Sequence, residues 1–181
     1  MAVTGSMGRG CGAQVAVLGA VLAVGLTAAA APAVARPDAV AFRGDVAPGT
    51  VVVNTRERKL YLVVEPGRAI RYPVGVGKAG KQWSGATRID GKYRNPAWSP
   101  PAEVKRDNPR LPDVIPGGSP ANPMGVAAMT LAGGEYAIHG TNRPGSVGGF
   151  VSYGCIRMYN DDITDLYARV SVGTPVVVVA R

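Results

Sequence analysis

Histidine and cysteine are nearly missing from these 181 residues: there is one His, His139, and two Cys, Cys11 and Cys155. A structural or catalytic zinc needs three or four protein ligands. One His with one Cys does not supply them, so no metal and no other cofactor is expected. The Lys and Arg residues are dispersed and no aromatic stacking motif accompanies them, which argues against a nucleic-acid partner. No internal repeat and no amphipathic membrane helix is present.

Charge is also missing from one long stretch. Val15–Ala31 holds Val, Leu, Ala and Gly with one Thr, after a first segment whose only charge is Arg9. Ala33-Val34-Ala35 follows, with small residues at the two positions a signal peptidase reads. A short apolar run that ends in such a site reads as a secretory signal peptide. The competing reading, an uncleaved span, needs about 20 apolar residues, and much of this run is Ala and Gly. No cysteine follows the run, so no lipid anchor is indicated. The expected division is 1–35 signal peptide, 36–48 a short lead-in, and 49–181 the main domain, with the mature chain beginning near Arg36 and keeping no membrane span.

The remainder, 146 residues, is enough for one domain with a real core. The net charge of the whole chain is +8, and losing Arg9 leaves about one charge less, still basic. A basic exported protein suits an acidic polymer such as cell wall or anionic lipid. Exported proteins usually hold their cysteines as disulfide pairs, so a single one is flagged as a free reactive thiol or an intermolecular link. Once Cys11 leaves with the leader, Cys155 is that residue.

After the loosely specified lead-in, Thr50–Thr55, Lys59–Val64 and Ala69–Gly75 read as strands. Arg56–Arg58 and Glu65-Pro66-Gly67 read as the hairpin turns between them. Thr87–Tyr93 is a further strand, with Asp90-Gly91 marking a turn or bulge. Residues 96–123 carry eight prolines, so no regular element is expected to run through them. Trp98, Leu111, Val114 and Ile115 offer anchors for a packed lid. Met124–Leu131 and Glu135–His139 resume strand character around Gly133-Gly134. Asn160-Asp161-Asp162 offers an N-cap and an acidic first turn to a helix carrying Ile163, Leu166, Tyr167 and Val170. Thr174–Ala180 reads as a last buried strand. The expected fold class is mainly β, with one short helix after Cys155.

Between these elements lies YAIHGTNRPGSVGGFVSYGCIRMYN, residues 136–160, which holds both His139 and Cys155. A thiol nucleophile needs a base to remove its proton, and imidazole is the usual one near neutral pH. A strand ending at His139 and a segment reaching Cys155 are expected to lie as antiparallel neighbours. That brings imidazole and sulfur within reach and lowers the thiol pKa from ~8.5 towards about 3.5–7.5. Gly154 permits a sharp turn, so that amides around Cys155 point at a developing oxyanion. A Cys–His pair without a metal-ligand set points to acyl transfer as the expected chemistry. The bland alternative is a buried structural Cys and a surface His that never meet.

IHGTN, SYGCIRM, the acidic helix start and GTPVVVV closely resemble the signature of the bacterial L,D-transpeptidases of the cell wall. NPAWSPP, DNPRLPDVIPGG, NPMG, VVVNTRERKLYLV and YPVGVGK extend the resemblance over roughly residues 45–180. It implies a β-sandwich-like catalytic domain that attacks a peptidoglycan stem tetrapeptide before its terminal D-alanine. A cysteine thioester forms, D-alanine leaves, and an amine of a neighbouring stem takes the acyl group. Carried over by position, Cys155 is the nucleophile and His139 the base and later acid. Backbone amides near Gly154 and Cys155 are oxyanion donors, and Ser152 is an orienting hydrogen-bonder. Arg157, Tyr153 and Asn142 are expected to bind substrate, with a structural ion pair as the other reading of Arg157.

Tyr153 stands where most relatives have His, and the WSGAT segment lacks the Thr-Pro common at its place. With no wall-binding repeat in view, the domain is expected to find its polymer through its own positive charge, in the periplasm or cell wall. Three alternatives stay open. An L,D-carboxypeptidase would let water resolve the thioester. A variant enzyme would attach an outer-membrane protein to the wall. A wall-binding module would do no chemistry.

Overall fold

The computed structural model describes residues 39–180, so the expected signal peptide and its cleavage site lie outside the described residues. The strands in chain order are Ala39–Ala41 (β1), Val51–Asn54 (β2), Lys59–Glu65 (β3), Arg68–Pro73 (β4), Val76–Gly77 (β5) and Gly85–Arg94 (β6). They continue as Ala127–Leu131 (β7), Ala137–His139 (β8), Phe150–Ser152 (β9), Ile156–Arg157 (β10) and Pro175–Val179 (β11). The helices are Ala102–Asp107 (α1) and Asn160–Arg169 (α2). The mainly β class is as expected.

β2, β3 and β4 form the antiparallel meander expected from their β-branched and aromatic content. Arg58 and Gly67 provide the positive φ values of 54° and 78° that the two tight connections require. The lead-in is more ordered than its composition suggested: β1 adds to the edge of β4, and Phe42 and Val46 pack on Val52, Val63 and Ala69.

One nine-stranded sheet runs β1-β4-β3-β2-β11-β6-β7-β8-β10. It becomes sandwich-like at β6. The first half of β6, Gly85–Arg88, pairs with β11, while Ile89–Arg94 pairs with β7. A register shift between Ile89 and Gly91 falls at the Asp90-Gly91 position read as a break, and a bulge there bends the strand and strengthens its twist. The two halves share one core, in which Val51, Leu60 and Tyr72 from one side meet Met129, Ile138 and Ile156 from the other. β11 is central, parallel to β2 and antiparallel to β6.

α2 closes this core with Ile163 and Leu166, both fully buried. Each such side chain contributes about 1.5–3 kcal/mol of burial. The Tyr72 hydroxyl donates to the Asp165 carboxylate at 2.6 Å and ties the helix to β4. Asn160 is not the N-cap that the sequence suggested. Tyr159 occupies that place without a side-chain cap, because Asn160 Oδ1 accepts the Thr141 amide at 3.0 Å instead.

The expectation of a single helix is corrected by α1, which lies inside the proline-rich segment. Pro101 sits at its N-cap and the next proline is Pro109, leaving room for one and a half turns. Proline is tolerated at a helix start, where its missing N–H would be unpaired in any case. The segment is packed rather than loose. Trp98 and Ile115 exchange backbone hydrogen bonds of 2.9 and 2.8 Å, and the Asn122 amide donates to the carbonyls of Pro96, Ile115 and Pro116. Val114, expected as an anchor, is 54% exposed. Asn122 does that work from a buried position and was not singled out by sequence.

Candidate active site

β8 ends at His139 and β10 begins one residue after Cys155, and the two strands pair in parallel, with Ile156 opposite Ile138 and Arg157 opposite His139. The antiparallel expectation is overturned. A parallel pair needs a crossover of a dozen or more residues, and Gly140–Cys155 provides it by way of a 3-10 turn at Pro144–Ser146 and β9 beside β5. β10 is held on both sides: Arg157 exchanges 2.8 Å backbone bonds with Gly75, and the Met158 amide donates to the His139 carbonyl. Cys155 and His139 line one cavity of about 360 Å³.

His139 is 3% exposed. Its Nδ1 lies 2.6 Å from the Gly140 carbonyl oxygen. A carbonyl only accepts, so Nδ1 carries the proton of the neutral ring and Nε2 holds the lone pair. Burial and then the Arg157 charge lower its pKa to about 4, against the pull of the Gly140 and Pro123 carbonyls. A Cβ at Gly140 would meet Asn160 Oδ1 and push aside the side chain that accepts the Thr141 amide. Asn160 thus fixes the backbone just past the histidine.

Cys155 is half-buried and unpaired, with Sγ 4.0 Å from the Glu135 carbonyl. Burial pushes the thiol above its ordinary value, although an Ala137 backbone hydrogen bond and the Arg157 charge pull the other way. The expected drop in thiol pKa is therefore overturned. Desolvation thus disfavours both the thiolate and the imidazolium.

Ser152 spans the turn before the nucleophile. Its hydroxyl donates to the Cys155 carbonyl at 2.6 Å and accepts the Gly154 amide at 3.1 Å. The Gly154 N–H is therefore already engaged, unlike the oxyanion donor it was expected to be. Gly154 has φ +125°, and a Cβ there would overlap the Tyr136 ring at Cε1. Tyr136 stacks on Trp83 with centroids 5.1 Å apart and planes at 12°. The Trp83 indole donates to the Gly154 carbonyl at 2.9 Å. Nothing in the local sequence marked Trp83 or Tyr136, since the contact spans 71 positions.

Arg157 and Arg143 also line the cavity. Arg157 donates to the Ser146 hydroxyl at 3.0 Å, and its buried Nε has no hydrogen-bond partner among the described residues. Neither arginine pairs with a carboxylate among the described residues. The structural ion pair suggested for Arg157 is thus not formed there.

Tyr153 borders the cavity, but its hydroxyl donates to Asp107 of α1 at 2.6 Å. Lys78 sits 3.7 Å above its ring and 3.6 Å from Asp107. Asn142 is not brought to Cys155. Its amide donates to the Pro120 carbonyl at 3.0 Å, on the wall of an adjoining cavity of about 200 Å³ that shares Arg143 and Arg157.

The model of the L,D-transpeptidase catalytic domain family, YkuD, matches residues 48–178, and the chain belongs to that family. It is 39% identical over 140 residues to a protein of Salmonella typhimurium named probable L,D-transpeptidase ErfK/SrfK, covering 72% of this chain and 44% of that protein. The chain thus spans less than half the length of that curated relative. The fold is similar to an L,D-transpeptidase structure from Mycobacterium smegmatis, with a TM-score of 0.57 and 21% identity, covering 72% of this chain and 58% of the other. A Brucella melitensis structure described as a probable carnitine operon oxidoreductase is 41% identical with a TM-score of 0.53, covering 80% and 93%. That description names a different activity from the family model and the curated relative.

Proposed function

We propose that the domain is a peptidoglycan L,D-transpeptidase in which Cys155 is the nucleophile and His139 the general base. The observation that carries this reading is that, among the described residues, the single free thiol and the single imidazole open into one cavity beside two arginines without carboxylate partners. His139 Nε2 takes the thiol proton as sulfur attacks the carbonyl that precedes the terminal D-alanine. The buried imidazolium so formed is favoured by the Gly140 and Pro123 carbonyls. It then gives the proton to the departing amine, and D-alanine leaves with the thioester in place. An amine of a second stem attacks the thioester, His139 accepts its proton, and the thiol is restored.

A resting state without thiolate suits this sequence. Proton transfer is coupled to attack, and an unoccupied site holds little reactive sulfur. Arg143 and Arg157 suit a carboxylate of the donor stem, since a planar guanidinium matches that geometry. The uncharged Val15–Ala31 run and Ala33-Val34-Ala35 support export and action in the periplasm or wall.

Purified protein incubated with tetrapeptide muropeptides is expected to give crosslinked dimers with release of D-alanine. Trimmed monomers alone would make it a carboxypeptidase, and acyl transfer only to a protein lysine would make it an attachment enzyme. Unchanged muropeptides retained by the protein would make it a binding module.

A further inference from the structure

We infer that Trp83 is a positioning residue for acyl transfer, holding the Gly154–Cys155 peptide so that the Cys155 N–H is set as the oxyanion donor. This rests on the reading of Cys155 as the acylated nucleophile. Three of the four polar backbone groups at this turn already have partners. The Gly154 N–H goes to Ser152 Oγ at 3.1 Å, and the Cys155 carbonyl accepts from the same hydroxyl at 2.6 Å. The Gly154 carbonyl accepts from the Trp83 indole at 2.9 Å. A trans peptide is planar, and its C=O and N–H point in opposite directions. Fixing the Gly154 carbonyl on Trp83 therefore fixes the Cys155 N–H on the opposite side of the same plane.

The plane is held a second way. Glycine at φ +125° would otherwise be free to rotate, but the Tyr136 ring fills the space where a side chain would stand. Tyr136 is itself stacked on Trp83 at 5.1 Å. One indole thus sets the peptide directly through its N–H and indirectly through the ring it supports. Trp83 does not line the cavity with Cys155, so it acts through the peptide and not on substrate.

The test compares two reactions of the same sulfur in purified protein. Opening of a carbapenem ring passes through a tetrahedral oxyanion, whereas alkylation by iodoacetamide displaces iodide and forms none. Trp83→Phe keeps a ring for Tyr136 and removes the donor. Losing an oxyanion donor costs about 10²–10³-fold in rate, and a donor misaligned but still present should cost about 10-fold or more. Carbapenem acylation is expected to fall by that factor, with alkylation unchanged within about twofold. Trp83→His, whose Nε2–H occupies the equivalent place on a five-membered ring, should recover part of the acylation rate.

Equal losses in both reactions, or no loss in either, would overturn the inference. So would failure of both variants to fold, which would make Trp83 a core residue only. Wild-type protein that is alkylated but never acylated would instead refute the transpeptidase reading itself, and the inference with it. Normal acylation of Trp83→Phe beside normal wild type would remove the inference alone.

Discussion

The cavity has two walls built in different ways. One carries Cys155 and His139, and its contacts are short and at least partly buried: Asn160 on the Thr141 amide, Gly75 against Arg157, and Trp83 on the Gly154 carbonyl. The other is the proline-rich segment, which contributes Trp98, Pro101 and Val104. α1 is fastened to the body through surface contacts: Lys78 with Asp107, Lys81 with Glu103, and the Tyr153 hydroxyl. Hydrogen-bonded backbone sheltered from water resists displacement, whereas exposed ion pairs are weak and screened by salt. Under the proposed function, the chemistry belongs to the first wall and substrate fit to the second. Asn122 keeps the second wall in one piece, so it would move as a unit.

The sharpest way to break this comparison is Cys155→Ala. Acylation and turnover should vanish while the thermal midpoint stays close to wild type, and a carbapenem should add its mass only at Cys155 in the parent. Labelling elsewhere, or turnover in the variant, would remove the first wall's role.

Next in size is His139→Ala beside Tyr153→Phe. Loss of a general base costs about 10²–10⁴-fold, so the histidine variant should show that loss in acylation across pH 5–9. Tyr153→Phe removes a hydrogen bond to Asp107 and should change acylation little. If the two effects were exchanged, the assignment of base and latch would be reversed.

The buried imidazole also has a stability signature. Its pKa is lowered from 6.5 to about 4, so between those values the unfolded chain binds more protons than the folded one. Stability contributed by the neutral ring is fully present above pH 6.5 and is lost as pH falls towards 4. Up to about 3 kcal/mol is at stake over that window, since each tenfold change in proton affinity is worth about 1.4 kcal/mol. Urea denaturation at pH 7 and pH 4.5 should show this loss in wild type and a smaller one in His139→Gln. An identical loss in the two proteins would mean the ring is not desolvated.

The smallest effect is expected at the second wall. Asp107→Asn weakens the contacts to Lys78 and Tyr153, and should raise KM for a long stem peptide several-fold without moving the thermal midpoint. High salt should reduce the difference between variant and wild type. A change in kcat with KM constant would place Asp107 with the chemistry instead.

The hairpins of β2–β4, the bulge in β6, the last strand and α2 could be read directly, because each depends on residues a few positions apart. Scarcity singled out the two residues proposed to react, since no other imidazole exists and Cys155 is the only free cysteine among the described residues. α1 was missed because eight prolines outweighed the proline-free interval between Pro101 and Pro109. Asn142 and Asn160 were assigned to substrate and to a helix cap, yet each braces a loop through a side-chain bond that local sequence does not reveal.

Sequence alone therefore named the candidate atoms for the proposed chemistry: one thiol, one imidazole and a turn that favours glycine. Tertiary structure alone decided that β8 and β10 run parallel, that Trp83 reaches the Gly154 carbonyl across 71 positions, and that burial pushes the thiol pKa up and the imidazole pKa down. The reason is physical. Propensity and turn chemistry act over a few residues, whereas strand direction, desolvation and the plane of a peptide are set by whatever the folded chain packs against them.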